Sequence, residues 1–81
     1  MKEFTDRQMQ VLAVIKAHIS QTGYAPSTRE IANKTGIAHH QQAAAILEAL
    51  EKKGAIAREF NVPRSIVMLQ PGKRALREVS V

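Results

Sequence analysis

Two capping boxes constrain this chain more than any other feature. In Thr5-Asp6-Arg7-Gln8, and again in Ser27-Thr28-Arg29-Glu30, a hydroxyl can accept the backbone N–H three residues on while Gln or Glu reaches back to the N–H of the cap. Each box predicts a helix start. After the first, Val11, Leu12, Ile15 and Ile19 recur at helical spacing and make one apolar face, which leaves His18 as a surface or boundary residue. Gly23 supplies a left-handed stop and Pro26 prevents helix from resuming before Ser27, so Thr22 to Pro26 reads as a loop with Tyr24 as its anchor. The second helix runs to about Thr35 and buries Ile31 and Ala32; Gly36 then turns the chain and Ile37 plugs the turn. A third helix begins near His39 or His40 and continues to Lys53, with Ala43, Ile46, Leu47 and Leu50 inward and Gly54 as its stop.

Beyond Gly54 the period changes. Ala55 to Phe60 and Ser65 to Leu69 are short β-like runs around the tip Asn61-Val62-Pro63-Arg64, a hairpin with Ile56, Ile66 and Met68 inward. Pro63 and the tip charges protect its edge. From Pro71 to Val79 the tail can add a helical turn or two, with Pro71 at the first helical position and Leu76 and Val79 packing back. The expected fold is mainly α with a small β-hairpin: a winged helix-turn-helix with a three-helix core, an antiparallel wing and a short closing helix or tail. With 81 residues and no linker or repeat, one domain over residues 1–81 is expected.

Several classes of function fall away on composition. Cysteine is absent, so disulfide and zinc-thiolate chemistry are excluded. No apolar run approaches the roughly 18 residues that span a membrane, and the N-terminus lacks a secretory layout; a cytoplasmic protein with no membrane partner is expected. Ser20, Ser27 and Ser65 have no base arranged beside them, no carboxylate pair flanks a cleft, and Gly72-Lys73 lacks the rest of a phosphate loop. Neither an enzyme nor a cofactor is expected. His39 and His40 point to different helix faces with no carboxylate or cysteine beside them, so no metal site is expected either. The methionines read as core filler.

What remains is charge. The net charge of +5 is distributed unevenly. From Lys52 onward, Lys52, Lys53, Arg58, Arg64, Lys73, Arg74 and Arg77 face only Glu59 and Glu78, and between Ile31 and Leu47 stands Lys34 with no acid. Such a balance suits a polyanion, bound through phosphate neutralisation and counterion release. In a helix-turn-helix the short second helix crosses the DNA backbone and the third enters the major groove by its N-terminal end. The early positions of the third helix are His39, His40, Gln41 and Gln42. Gln can pair bidentately with adenine, and His can donate to guanine or to a phosphate. Ala44 and Ala45, one turn on, allow close approach and can meet a thymine methyl. The backbone contacts expected are Lys52 and Lys53 at the far end of the third helix, Arg64 at the hairpin tip, Ser27, Thr28 and Arg29 on the second helix, and Arg7. A solvated or capping role for the histidines and ordinary surface charge for the lysines are the bland alternatives.

These residues carry a resemblance. Thr5 with Arg7-Gln8, Ile15 with His18-Ile19-Ser20-Gln21-Thr22-Gly23, Pro26, Glu30-Ile31-Ala32, Gly36, Leu47, Ala49-Leu50 and Lys53-Gly54, followed by Ile56, Arg64, Ile66 and Leu69, stand in one ungapped register. Over Met1 to Gln70 the chain resembles the N-terminal DNA-binding domain of the LexA repressor family. The resemblance implies a repressor whose third helix reads a double-stranded DNA operator, with base contacts falling on His39, Gln41, Gln42, Ala44 and Ala45. It also implies backbone contacts at Lys52 or Lys53 and at the wing, including Arg64.

Where the family has small, Asn-type and acidic side chains at the reading positions, this chain has His39-His40-Gln41-Gln42 and Ala44-Ala45, so a different operator is expected. The tip Asn61-Val62-Pro63 is bulkier than a Gly/Ser tip. No Ala-Gly cleavage bond or serine-lysine protease domain follows, and Gln70 to Leu76 resembles the closing helix of other small winged-helix regulators; the expectation is a stand-alone regulator without self-cleavage. Its pairing is then expected to be a weak or DNA-dependent homodimer, a monomer, or a partnership with another regulator. The alternative function is a protein-interaction module on the same fold, an antirepressor or adaptor.

Overall fold

A computed structural model describes residues 4–59, 62 and 64–80 of the chain, residues 77–80 by backbone alone. In order along the chain, the described elements are α1 (Asp6–Thr22), α2 (Thr28–Thr35), α3 (His40–Lys52), β1 (Ile56–Ala57), β2 (Val67–Met68) and α4 (Gln70–Ser80). Both capping boxes form as the sequence predicts. The Thr5 hydroxyl accepts the Gln8 N–H at 3.1 Å while Gln8 Oε1 accepts the Thr5 N–H at 3.0 Å. Ser27 and Glu30 repeat this at 3.2 and 2.9 Å.

The turn between α2 and α3 sets the architecture. Gly36 adopts φ +74, the left-handed region a glycine enters without a Cβ penalty. The Ile37 N–H then returns to the Ala32 carbonyl at 3.0 Å, the longer bond of a Schellman cap. Ile37 is buried as expected, and α3 leaves in a new direction with His39 as its N-cap. Val11, Leu12 and Ile15 of α1, Ile31 and Ala32 of α2, and Ala43, Leu47 and Leu50 of α3 form the centre of the core, with Ile19 and Ile46 partly buried against it. Each large aliphatic side chain contributes roughly 1.5–3 kcal/mol by leaving water.

The hairpin is antiparallel, with Ile56 opposite Met68 and Ala57 opposite Val67. Ile56, Ile66 and Met68 face the core, as predicted. The strands are shorter than the β-like runs suggest. Beyond Ala57 the Ser65 hydroxyl takes the place of the ladder: it accepts the Glu59 N–H at 2.9 Å and lies 2.8 Å from the Val62 carbonyl oxygen and 3.3 Å from that of Glu59. Phe60, Asn61 and Pro63 lie outside the described residues, and with them the predicted edge protection by Pro63.

Three further expectations are corrected. His18 is 3% exposed rather than superficial. Its ring meets Tyr24 edge-on at 5.4 Å between centroids, and Nδ1 lies 2.9 Å from Lys34 Nζ, so the neighbouring helix supplies a partner for one ring nitrogen, while Nε2 is buried with no hydrogen-bond partner among the described residues. Tyr24, the expected loop anchor, is half exposed and lies over His18 instead of entering the core. The tail forms a full helix beginning at Gln70, one residue before Pro71, and Ala75 and Leu76 are buried. The packing predicted for Val79 lies outside the described side chains.

Gly72 explains how α4 closes over the hairpin. It is buried, and a Cβ built there would stand 2.7 Å from the Ala55 carbonyl oxygen and 3.3 Å from Met68 Cε. That carbonyl also accepts the Leu69 N–H at 2.9 Å, so it cannot easily retreat. Gly72→Ala should therefore destabilise the fold by about 1–3 kcal/mol, outweighing a helix-propensity gain of about 1 kcal/mol. Urea denaturation measures this; an unchanged or raised midpoint would mean that α4 shifts without cost.

Candidate nucleic-acid interface

The face of α3 turned away from the core is small and polar. Ala43, Leu47 and Leu50 are buried; His39, His40, Gln41, Gln42 and Ala45 are exposed, and Ala44 is half-buried. Gln41 and Gln42 precede Ala45 by four and three residues, so they share one helical stripe with it. Gln41, Gln42 and Ala45 thus stand together on one exposed face; His40 and the half-buried Ala44 lie to one side of it, and His39 is the N-cap.

The start of α3 differs from the starts of α1 and α2. His39 makes no side-chain capping bond and the first turn contains no acid. The Gln42 N–H turns back to the His39 carbonyl at 3.0 Å, no side chain of the cap serves the N–H groups of this turn, and no acid in it offsets the partial positive charge of the helix N-terminus. Two imidazoles and two carboxamides surround these donors, all able to hydrogen-bond to base edges or phosphate oxygens.

Sequence reasoning overlooked Glu48. It follows Ala45 by three residues and Ala44 by four, and is exposed at the end of the same stripe. Its carboxylate lies 3.4 Å from Lys52 Nζ in an i,i+4 pair, with side chains 62% and 76% exposed. Helical spacing alone could have found it. Glu48 marks where the acid-free surface ends.

The cations assigned to phosphate divide into two sets. Arg7 Nη1 donates to the Thr35 carbonyl at 2.9 Å and to Gln10 Oε1 at 3.0 Å, closing the C-terminal end of α2 onto α1. Lys53 Nζ donates to Gln8 Oε1 at 2.7 Å and stands 5.2 Å from the centroid of the Phe4 ring, joining the end of α3 to the start of α1. Arg64 turns back to Glu30, Ala25 and Tyr24. These three serve as internal ties. Arg29 and Lys52 are exposed, Thr28 is half-buried, and the Ser27 hydroxyl is engaged in its cap.

Glu30 is held in its ionised form. The Ser27 backbone N–H donating to it lowers its pKa from the ordinary 4.5; partial desolvation opposes this, and the Ser27 hydroxyl and the Arg64 guanidinium reinforce it. A depressed carboxyl pKa contributes stability that is complete above the unfolded value and disappears as pH falls through the folded one. The stability difference between the unaltered chain and Glu30→Gln should accordingly be full near neutral pH and shrink below about pH 4.5. Thermal unfolding across an acid series tests it; a pH-independent difference would remove ionisation as the cause.

Residues 1–65 match the family model described as the LexA DNA binding domain. The chain is 41% identical over 69 residues to the LexA repressor of Frankia alni, covering 85% of this chain and 27% of that protein. It is 37% identical over 78 residues to the LexA repressor of an Exiguobacterium species, covering 96% of this chain and 38% of the relative. With LexA repressor 1 of Geobacter sulfurreducens it shares 44% identity over 69 residues, 85% of this chain and 34% of the relative. The chain thus spans between 27% and 38% of the length of these repressors.

Proposed function

The chain belongs to the LexA DNA-binding domain family, and from this we propose that it binds a double-stranded DNA operator sequence-specifically and represses transcription. The observation that carries the reading is the N-terminal end of α3: exposed, free of acid, without a side-chain cap, and bordered by His39, His40, Gln41 and Gln42. This end enters the major groove. Gln41 and Gln42 read base edges, Ala44 and Ala45 admit close approach, and His39 and His40 donate to guanine acceptors or to the flanking phosphates. Arg29 and Thr28 on α2 and Lys52 at the far end of α3 contact the backbone, fixing register without specifying sequence. Arg7 and Lys53 reach phosphates only by giving up the helix ties described above. The domain pairs weakly or only on DNA, each copy taking one half-site.

Glu48 bounds the footprint. Its charge lies on the reading stripe and repels the phosphates that Lys52 attracts.

Selection from a randomised duplex pool at about 0.1–0.2 M salt, where non-specific binding fades, should enrich a short operator, and a palindromic product would give the half-site spacing. On that operator Gln41→Ala or Gln42→Ala should each cost about 1–3 kcal/mol and relax one position, leaving random duplexes unaffected. Glu48→Gln should tighten every duplex, by roughly two- to fivefold for an exposed charge. Anisotropy titrations measure both. Failure of the Gln variants to alter selectivity would remove α3 as the reading element.

A further inference from the structure

The surroundings of Arg64 point to a role other than direct contact with DNA. Its Nη1 lies 2.8 Å from Glu30 Oε1 and donates to the Ala25 carbonyl at 3.3 Å. The guanidinium carbon stands 4.8 Å from the centroid of the Tyr24 ring, within cation–π range. Tyr24 and Ala25 belong to the α1–α2 loop and Glu30 to the first turn of α2, so one side chain fastens the wing to the element that orients α3.

The receiving site is itself braced. Glu30 Oε1 also accepts the Ser27 N–H at 2.9 Å, which holds the carboxylate in the rotamer that meets Arg64. Behind Tyr24, the buried His18 ring supports it edge-on at 72°, and Lys34 of α2 holds His18 Nδ1. At the other end of the contact, Arg64 is the non-glycine residue with a left-handed backbone among those described, at φ +62. An L-residue adopts that conformation at a cost and keeps it where its contacts over-determine the position. With Glu30 against it, the guanidinium also offers little net charge to a polyanion.

We propose that Glu30 and Arg64 are positioning residues for DNA binding. Their ion pair, stacked on Tyr24, sets the wing against α2 and α3, and Arg64 is not a phosphate ligand. This inference rests on the DNA-binding function proposed above. The two roles for Arg64 predict opposite signs for one substitution. Glu30→Gln keeps an oxygen for the Ser27 N–H, so α2 stays capped, but it removes the charge that holds Arg64. If Arg64 were a phosphate ligand, this change would release it and tighten binding. If Arg64 positions the wing, binding weakens.

The test compares the full chain with E30Q, R64A, R64K and the double variant E30Q/R64A. Affinity for the selected duplex is measured over a salt series, and amide hydrogen exchange of Ser65 to Leu69 is followed without DNA. We expect E30Q and R64A each to weaken binding by roughly two- to tenfold, the scale of one ion pair with a ring contact. The double variant should be no weaker than the worse single one, R64K should not restore affinity, and the salt slope should be unchanged. Wing amides should exchange faster in both single variants. Tighter binding by E30Q, or a salt slope lowered by about one phosphate contact in R64A and restored in R64K, would overturn the proposal. So would an affinity loss that disappears once thermal unfolding has corrected for the folded fraction. Should the unaltered chain bind no duplex, the DNA-binding reading fails and the DNA part of this proposal with it; unchanged wing exchange in E30Q and R64A would overturn the tie itself.

Discussion

The left-handed backbone of Gly36, closed by the Ile37 N–H on the Ala32 carbonyl, is where the direction of α3 is decided. Everything proposed for the reading face follows from that direction. The turn stops α2 after Thr35, drives Ile37 into the core and leaves His39 outside as an N-cap without a capping side chain. A residue with a Cβ would be strained at this φ, and a longer turn would release Ile37 from the packing that holds the two helices at their angle. Ala43, Leu47 and Leu50 then rotate α3 so that Gln41, Gln42 and Ala45 face outward. A polar surface on a rigid helix, supported by a buried aliphatic face, is a more precise reader than the same residues on a loop.

The distribution of charge has a second consequence. A net charge of +5 in a chain of 81 residues suggests a broadly cationic surface, but several of its cations are spent inside the fold. Arg7 closes the end of α2, Lys53 joins α3 to α1, Arg58 pairs with Glu51, and Arg64 meets Glu30. Each sits where a helix-end carbonyl, a carboxamide or a carboxylate offers an acceptor within about 3 Å, the range in which a charge-assisted bond forms. The attraction for a polyanion therefore depends less on the total charge than on the acid-free end of α3 and the cations left beside it.

Much of the fold was legible in the sequence because its signals are local. Both capping boxes, the helix stops at Gly23 and Gly36, and the inward residues of all three core helices follow from hydrogen bonds and periodicities within a few residues of one another. The hairpin was legible in existence and in its inward residues Ile56, Ile66 and Met68, but not in length, since the Ser65 hydroxyl substitutes for ladder bonds in a way that strand propensity does not express. The closing helix is longer than its local signals predict: its length is helped by Ala75 and Leu76 finding a buried surface and by Gly72 fitting under the Ala55 carbonyl. His18 was misplaced for the same kind of reason, its burial resting on Tyr24 and Lys34 rather than on any neighbour within α1.

For the candidate site the division is similar. By itself the sequence determined which residues begin α3, that no acid stands among them and that Gln41 and Gln42 each stand one turn before Ala45, because rise and rotation per residue are properties of the helix alone. Only the tertiary structure decided which cations remain available. Whether Arg7, Lys53 or Arg64 projects toward a ligand depends on meeting Thr35, Gln8 or Glu30, residues between 28 and 45 positions away along the chain. A hydrogen bond or ion pair acts over a few ångströms of space and carries no mark in local sequence, so these assignments wait on the packing that brings the partners together.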